Sequence, residues 1–373
     1  MSNLASLHVG LPPPKLLQRL FAATQAEIWT APAVQQSFAE VHPSRNPYAR
    51  TMEGLVRFVD DLSRASWSTP EQTPTPSAEN QDLAGIRRRY FAQLPAFVDA
   101  ASQLSAAHTY DEHITLFRHV CADLGLLQHN HSKLATSDTH SSAANLQEDV
   151  FDALCTQIAE RSRTATVQAA IAQRRHETQQ RFVAYGDYIA AWLRARNRLV
   201  IIQLDLMYAD DPAQPISLQL AERDLQRFLR NRHHNQAFHG WVGYVARLTC
   251  RVNEGIGWRL LVIFDGKARD GYDHVHLADS LGQYWQGVIA PQRGRFRNGI
   301  ASSAYGLGSA NPVLGPLQHG DMQALGRLAN SILFDLIKPL QFVRPKVDER
   351  FKIVRRGQMP PRDPNAPQLR RRR

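Results

Sequence analysis

The chain has 373 residues, with 44 Lys and Arg against 34 Asp and Glu and a formal charge of +10. At 43% hydrophobic residues it can bury sizeable cores in two or three domains, so a wholly disordered chain is excluded. No uninterrupted apolar run approaches the ~20 residues of a membrane span, and Met1 to Lys15 lacks the charged-then-apolar layout of a signal peptide. A cytoplasmic protein without a membrane partner is therefore expected. Cys121, Cys155 and Cys250 form neither a disulfide framework nor a CxxC motif and read as buried thiols.

Residues 1–65 read as helical, with apolar spacing in Leu16, Leu17, Leu20 and Phe21 and again in Leu55, Val56, Val59 and Leu62. The polar, proline-rich run 66–81 is a linker. Helical periodicity returns over 82–196, in Ile86, Tyr90, Leu94, Phe97 and Val98 and then Ile189, Trp192 and Leu193, with a polar interruption at 129–143.

The pattern changes at Arg198. Leu199 to Tyr208 is a β-branched apolar run and predicts a buried strand. Ser217 is an N-cap for an amphipathic helix with Leu218, Ala221, Leu225 and Phe228 on one side and Arg223, Arg227 and Arg230 on the other. Trp241 to Leu248 and Trp258 to Phe264 form a hairpin. A second helix carries Val275, Ala278, Leu281, Trp285 and Val288 on one side, a Gly/Ser/Pro-rich loop covers 293–320, and a third helix with Met322, Leu325, Ala329, Ile332 and Leu336 is stopped by Pro339. This order predicts an α+β domain over 197–347: an antiparallel, RRM-like or HUH-like sheet with helices on one face, preceded by the helical N-terminal region.

From Arg344 to Arg373 eleven Lys and Arg face three acids, hence +8, leaving +2 for the rest of the chain. Residues 348–373 therefore read as a disordered basic tail for a polyanion, with a solubilising tail as the alternative. Arg293-Gly-Arg-Phe-Arg297 could pair Arg293, Arg295 and Arg297 with phosphates while Phe296 stacks on a base; the alternative is an ordinary basic loop. His274 and His276 fall at a helix start, where i and i+2 diverge by about 200° and cannot share a metal, and His129 and His131 read as solvated loop histidines. His233 and His234 close the basic helix. Asp205 and Asp265 could share a divalent metal as in a polymerase palm, or Asp265-Gly266 is only a turn. No Walker A loop, nucleophile elbow, HExxH or GxGxxG is present, and neither a metal nor another cofactor is expected.

Trp258-Arg-Leu-Leu-Val-Ile-Phe-Asp-Gly266, Leu277-Ala-Asp-Ser-Leu-Gly-Gln-Tyr-Trp285 and Asp335-Leu-Ile-Lys338, with Gln341 and Arg344 after it, together resemble the inovirus-type replication protein family with its YagK/YfjJ-like C-terminal domain. The likeness covers about 195–347. It implies a divergent relative of HUH-type initiators, in which a strand presents His-x-His to a metal and a helix presents a tyrosine in a Tyr-Leu-x-Lys context. The histidine positions fall on Gly257 and Arg259 and the tyrosine on Asp335, with Lys338 kept. None of the three replacements can hold the metal or attack a phosphodiester in those places.

The resulting expectation is a DNA-binding, replication-initiator-like protein of a prophage or mobile element, without nicking activity, that takes single-stranded or origin DNA. Phosphate contacts are expected from Arg223, Arg227, Arg230, Arg259, Arg293, Arg295, Arg297, Lys338, Arg355, Arg356 and Arg370, Arg371, Arg372 and Arg373, with stacking from Phe296. The alternatives are an active nickase using Tyr272, Tyr284 or Tyr305 with His274 and His276, and a helical protein-interaction scaffold.

Overall fold

The structure, a computed structural model, describes residues 31–41, 46–65, 83–127, 142–209, 216–231, 235–251, 255–269, 273–299 and 315–361. The helices are α1 (Ala31–Val41), α2 (Asn46–Arg64), α3 (Leu83–Tyr90), α4 (Leu94–Ser102), α5 (Glu112–Asp123), α6 (Ser142–Ser162), α7 (Ala165–Arg196), α8 (Leu218–Arg230), α9 (His274–Tyr284), α10 (Met322–Leu328), α11 (Phe334–Ile337) and α12 (Pro339–Phe342). The strands are β1 (His108–Tyr110), β2 (Arg198–Tyr208), β3 (Trp241–Arg251), β4 (Gly255–Asp265), β5 (Gly294–Asn298), β6 (Gly315–Gln318), β7 (Val343–Pro345) and β8 (Val354–Arg356). Two compact units divide them: 30–179 with 338–346, and 180–337 with the chain from 347 on.

The helical unit is built around Phe58 of α2, which is fully buried. Its ring lies 5.2 Å from Tyr90, 6.0 Å from Phe97, 6.3 Å from Phe117 and 6.0 Å from Phe151, so one residue gathers α3, α4, α5 and α6. Aromatic clusters of this kind add to area burial. The apolar stripe of α2 read from the sequence, Leu55, Val56, Val59 and Leu62, is buried throughout. Asp111 caps α5, accepting from Ile114 N at 3.1 Å. The sequence placed Val343–Pro345 with the sheet domain; instead this segment pairs antiparallel with β1 in the helical unit. The helix carrying Leu336 ends at Ile337, ahead of Pro339 as expected, and Pro339 then opens α12 at a position where a missing N–H costs nothing.

The second unit is an α+β layer with a six-stranded antiparallel sheet ordered β5-β2-β4-β3-β8, β6 pairing with β2 beside β5. Numbered from β2, the first four strands of that path run 4-1-3-2, the split β-α-β order expected of an RRM-like sheet. Leu199, Val200, Ile201, Ile202, Leu204 and Leu206 of β2 are all within 1% exposure, because its two faces are both covered. On one face α8 and α9 pack: Trp258 Nε1 donates to Ala221 O at 3.0 Å, and Asn298 Nδ2 to Val275 O at 3.0 Å. On the other, Arg247 Nη1 reaches Asp335 O of α11 at 3.3 Å. Tyr188 OH accepts from Tyr244 N there at 3.3 Å.

Two segments read as irregular are strands. The 293–320 stretch contributes β5 and β6 to the edge of β2. Residues 348–361, expected within the disordered tail, hold β8 on the edge of β3, with Val354 buried and the Arg355 guanidinium between the rings of Trp258 (4.8 Å) and Phe351 (5.0 Å).

Candidate nucleic-acid interface

Helix α8 begins where Ser217 Oγ accepts from Leu220 N at 3.1 Å. Ala221, Leu225 and Phe228 then enter the core, the Phe228 ring standing 5.2 Å from Phe238 and 6.0 Å from Trp285. Helical geometry puts Arg223, Arg227 and Arg230 on the opposite side, and all three are exposed. Among the described residues neither Arg223 nor Arg227 has a carboxylate within ion-pair distance, while Arg230 Nη2 donates to Gln226 Oε1 at 3.2 Å. The acids of the same helix face elsewhere. Asp224 is buried and takes Arg293 at 2.9 Å, and Glu222 pairs with Arg355. The solvent side of α8 is therefore a stripe of cations that phosphates can approach.

The other face of the sheet carries a polar row. Asp205 of β2 lies opposite Arg259 of β4, and Arg259 lies opposite Arg247 of β3. Arg259 donates to Asp205 through Nε (2.8 Å) and Nη2 (3.1 Å), and Arg251 Nη2 donates to the same carboxylate at 2.8 Å. Burial alone would raise Asp205, but the two guanidiniums outweigh it and hold the carboxyl well below its usual range. Arg259 is 2% exposed, so its sequence-based assignment to phosphate is corrected: it neutralises Asp205 inside the fold.

Gly257 and Arg259, the two positions at which histidines were sought in the sequence, lie on this face of β4. Gly257, two residues from Arg259 on the same strand, has no room even for a β-carbon: one would stand 2.8 Å from Leu206 O. Helix α11, with Asp335 where the nucleophilic tyrosine is expected, does meet this face through Arg247. The polymerase-like pairing of Asp205 with Asp265 is also excluded by register. Asp265 lies opposite Leu199, six residues or about 20 Å along β2 from Asp205, and it accepts from Lys267 N at 3.0 Å as an ordinary turn residue.

The remaining candidates separate by exposure. Arg295 and Arg297 share one face of β5, Arg295 exposed and Arg297 half-buried at the position opposite Asp205. Phe296, between them, points the other way and packs under α9, its ring occupying the space a Cβ at Gly282 would take (2.0 Å from Cδ2). It is half-buried there, on the opposite face of β5 from Arg295 and Arg297. Arg293 is held by Asp224, whose Oδ2 also accepts from Tyr208 OH at 3.0 Å; burial and that carboxylate raise the phenol. Lys338 is 3% exposed, and burial lowers its amine to about 8, so it is withdrawn from the phosphate contacts. Arg355 is tied to Glu222 and Trp258, while Arg356 is exposed over the Tyr188 ring at 5.0 Å. Arg370 to Arg373 lie outside the described residues, as do His129, His131, His233, His234, Tyr272 and Tyr305. His274 and His276 open α9 behind Asp273, which accepts from Val275 N at 2.8 Å, and Tyr284 OH accepts from Asn231 Nδ2 at 2.7 Å.

Comparison with family models, with curated proteins and with solved structures gives no significant match. Sequence reading missed the Asp205–Arg259–Arg251 cluster, although Asp and Arg inside otherwise apolar strand runs were its signal: a buried charge needs a partner on a neighbouring strand. Among the described residues no helix is long and apolar enough to cross a membrane.

Proposed function

We propose that the chain is a cytoplasmic DNA-binding protein of the replication-initiator kind, of prophage or mobile-element origin, that engages single-stranded or origin DNA without cutting it. The observation that carries this reading is the exposed Arg223, Arg227 and Arg230 stripe on a capped helix. Arg295 and Arg356 add exposed cations on the same unit, and the sequence ends in four further arginines, Arg370 to Arg373. Phosphate contacts from such groups supply affinity and register rather than base readout. The resemblance of 195–347 to inovirus-type replication proteins supports the replication context. The closed Gly257 position and the Arg259 ion pair speak against a metal-dependent nick.

One experiment addresses both halves. Supercoiled plasmid is incubated with the protein and Mn²⁺ and run on agarose before and after deproteinisation. A retarded band that returns to the supercoiled position is expected. Open circles or a covalent adduct would overturn the non-nicking half, and unretarded plasmid with unretarded single strands would overturn binding.

A further inference from the structure

The helical unit contains a cleft of about 290 Å³ that the DNA-binding reading does not use. Arg64 and Asp60 come from the last turn of α2, His113 from the first turn of α5, Arg163 from the α6–α7 turn and Arg175 from α7. Ile171 is the apolar member of the lining, and Ser63 and Gln168 complete it. Three guanidiniums from three elements thus converge on one opening with a single carboxylate among them, a surplus of two positive charges.

The local bonds fix this arrangement. Asp60 Oδ2 holds Arg64 Nη2 at 2.7 Å, and Arg163 Nη2 donates to Ala65 O. His113, 3% exposed, has Nδ1 2.9 Å from Asp111 Oδ2, so that nitrogen carries the proton, and its Nε2 stands 3.9 Å from Asp60 Oδ1. Arg175 is half-buried in the wall of the cleft. Burial lowers its guanidinium and the like charge of Arg64 adds to that, while Asp60, and beyond it Asp111 and Glu112, oppose it. A half-buried guanidinium with like charge beside it is stabilised by a bound anion, and a planar guanidinium matches a phosphate edge with two parallel donors.

We infer that this cleft binds a phosphate dianion, either free or as the terminal phosphate of a small monoester such as a nucleoside monophosphate, between Arg64, Arg163 and Arg175. Among the residues that line the cleft the cations outnumber the carboxylates, and the cleft has the volume of a phosphate with a small organic group attached.

The test is calorimetric titration of the full-length protein at constant ionic strength with inorganic phosphate and, separately, with dAMP. Saturable binding of at least one is expected, weakened about tenfold or more in Arg163→Gln and in Arg175→Gln, since each removes a charge-assisted bond. Arg163 is exposed, so its variant decides the matter if Arg175→Gln does not fold. The Arg223→Ala variant, altered on α8, should titrate like the parent, which separates this site from the proposed DNA surface. Tighter dAMP than phosphate assigns the cleft to an ester, and equal affinity assigns it to the free anion. Absence of saturable binding by both ligands, or binding unchanged in Arg163→Gln, would overturn the inference.

Discussion

Arg259 and Asp205 stand directly opposite one another on adjacent strands, bonded at 2.8 Å through Nε and 3.1 Å through Nη2 in the interior of the sheet. A buried ion pair contributes little net stability compared with an apolar pair, but removing one partner strands the other. Asp205→Asn should therefore cost ~3 to 5 kcal/mol in chemical denaturation at pH 7. Its carboxyl sits below the ordinary 3.8, so the stability it provides is present above that pH and lost as pH falls below it. The variant should show a smaller acid loss than the parent. DNA affinity per folded molecule should be unchanged, since the pair faces the interior; a DNA-specific loss in a fully folded Asp205→Asn would return Arg259 to the binding surface.

Gly257 tests whether the strand can accommodate a metal ligand at all. A Cβ there meets Leu206 O, a backbone atom that cannot swing away, at 2.8 Å. Gly257→Ala should destabilise by ~1 to 3 kcal/mol as overpacking does. Gly85→Ala on α3, where a Cβ meets nothing within 4 Å, should instead stabilise by ~0.5 to 1 kcal/mol. Thermal melts of the two variants side by side check the contrast, and a neutral Gly257→Ala would reopen the position.

Much of this architecture was legible in the sequence because it rests on periodicity. Leu225, Phe228, Trp285 and Ile332, read as core from helix spacing, are all at or below 2% exposure, and Ser217 caps the helix it was expected to start. What escaped was non-local. β5 hid in a glycine- and arginine-rich run because its one inward aromatic, Phe296, sits between two arginines, a three-residue alternation too short to stand out. β7 and β8 are three-residue strands whose existence depends on partners at His108–Tyr110 and Val245–Arg247, more than a hundred residues earlier. The same limit applies to the candidate site. The stripe of α8 is a local pattern, whereas the burial of Arg259 and Lys338 is decided by which elements cover them.

Lys338 gives a pH-dependent prediction. Its amine is lowered from 10.5 to about 8 by burial, so between those values the unfolded chain binds the extra proton and stability rises with pH. Below about pH 8 the charged amine costs the fold on the order of 3 kcal/mol. Lys338→Met should raise the melting temperature at pH 7, with the gain shrinking through pH 8 to 10.5 and gone above it. A gain that is the same at pH 7 and pH 11 would mean packing, not charge, is responsible.

The C-terminal arginines call for a truncation that respects β8. Removing everything after Pro345 would take Val354 and the Arg355 sandwich out of the sheet unit, whereas deleting Arg362 to Arg373 leaves both. The shorter deletion removes five arginines and one aspartate. It should keep the parent's melting temperature while weakening DNA binding more at low salt than at high salt, as the loss of counterion release requires.

The most direct test of the account is the salt dependence of single-stranded DNA binding, by fluorescence anisotropy, for the parent and for the R223A/R227A/R230A triple variant. These residues lie opposite the core side of α8, so the variant should fold as the parent does, which circular dichroism checks. The slope of log K against log salt should flatten by ~0.7 for each phosphate that is no longer neutralised, close to 2 in all, with affinity falling at every salt concentration. A folded triple variant with the parent's slope and affinity would contradict the assignment of α8 as the DNA-binding surface.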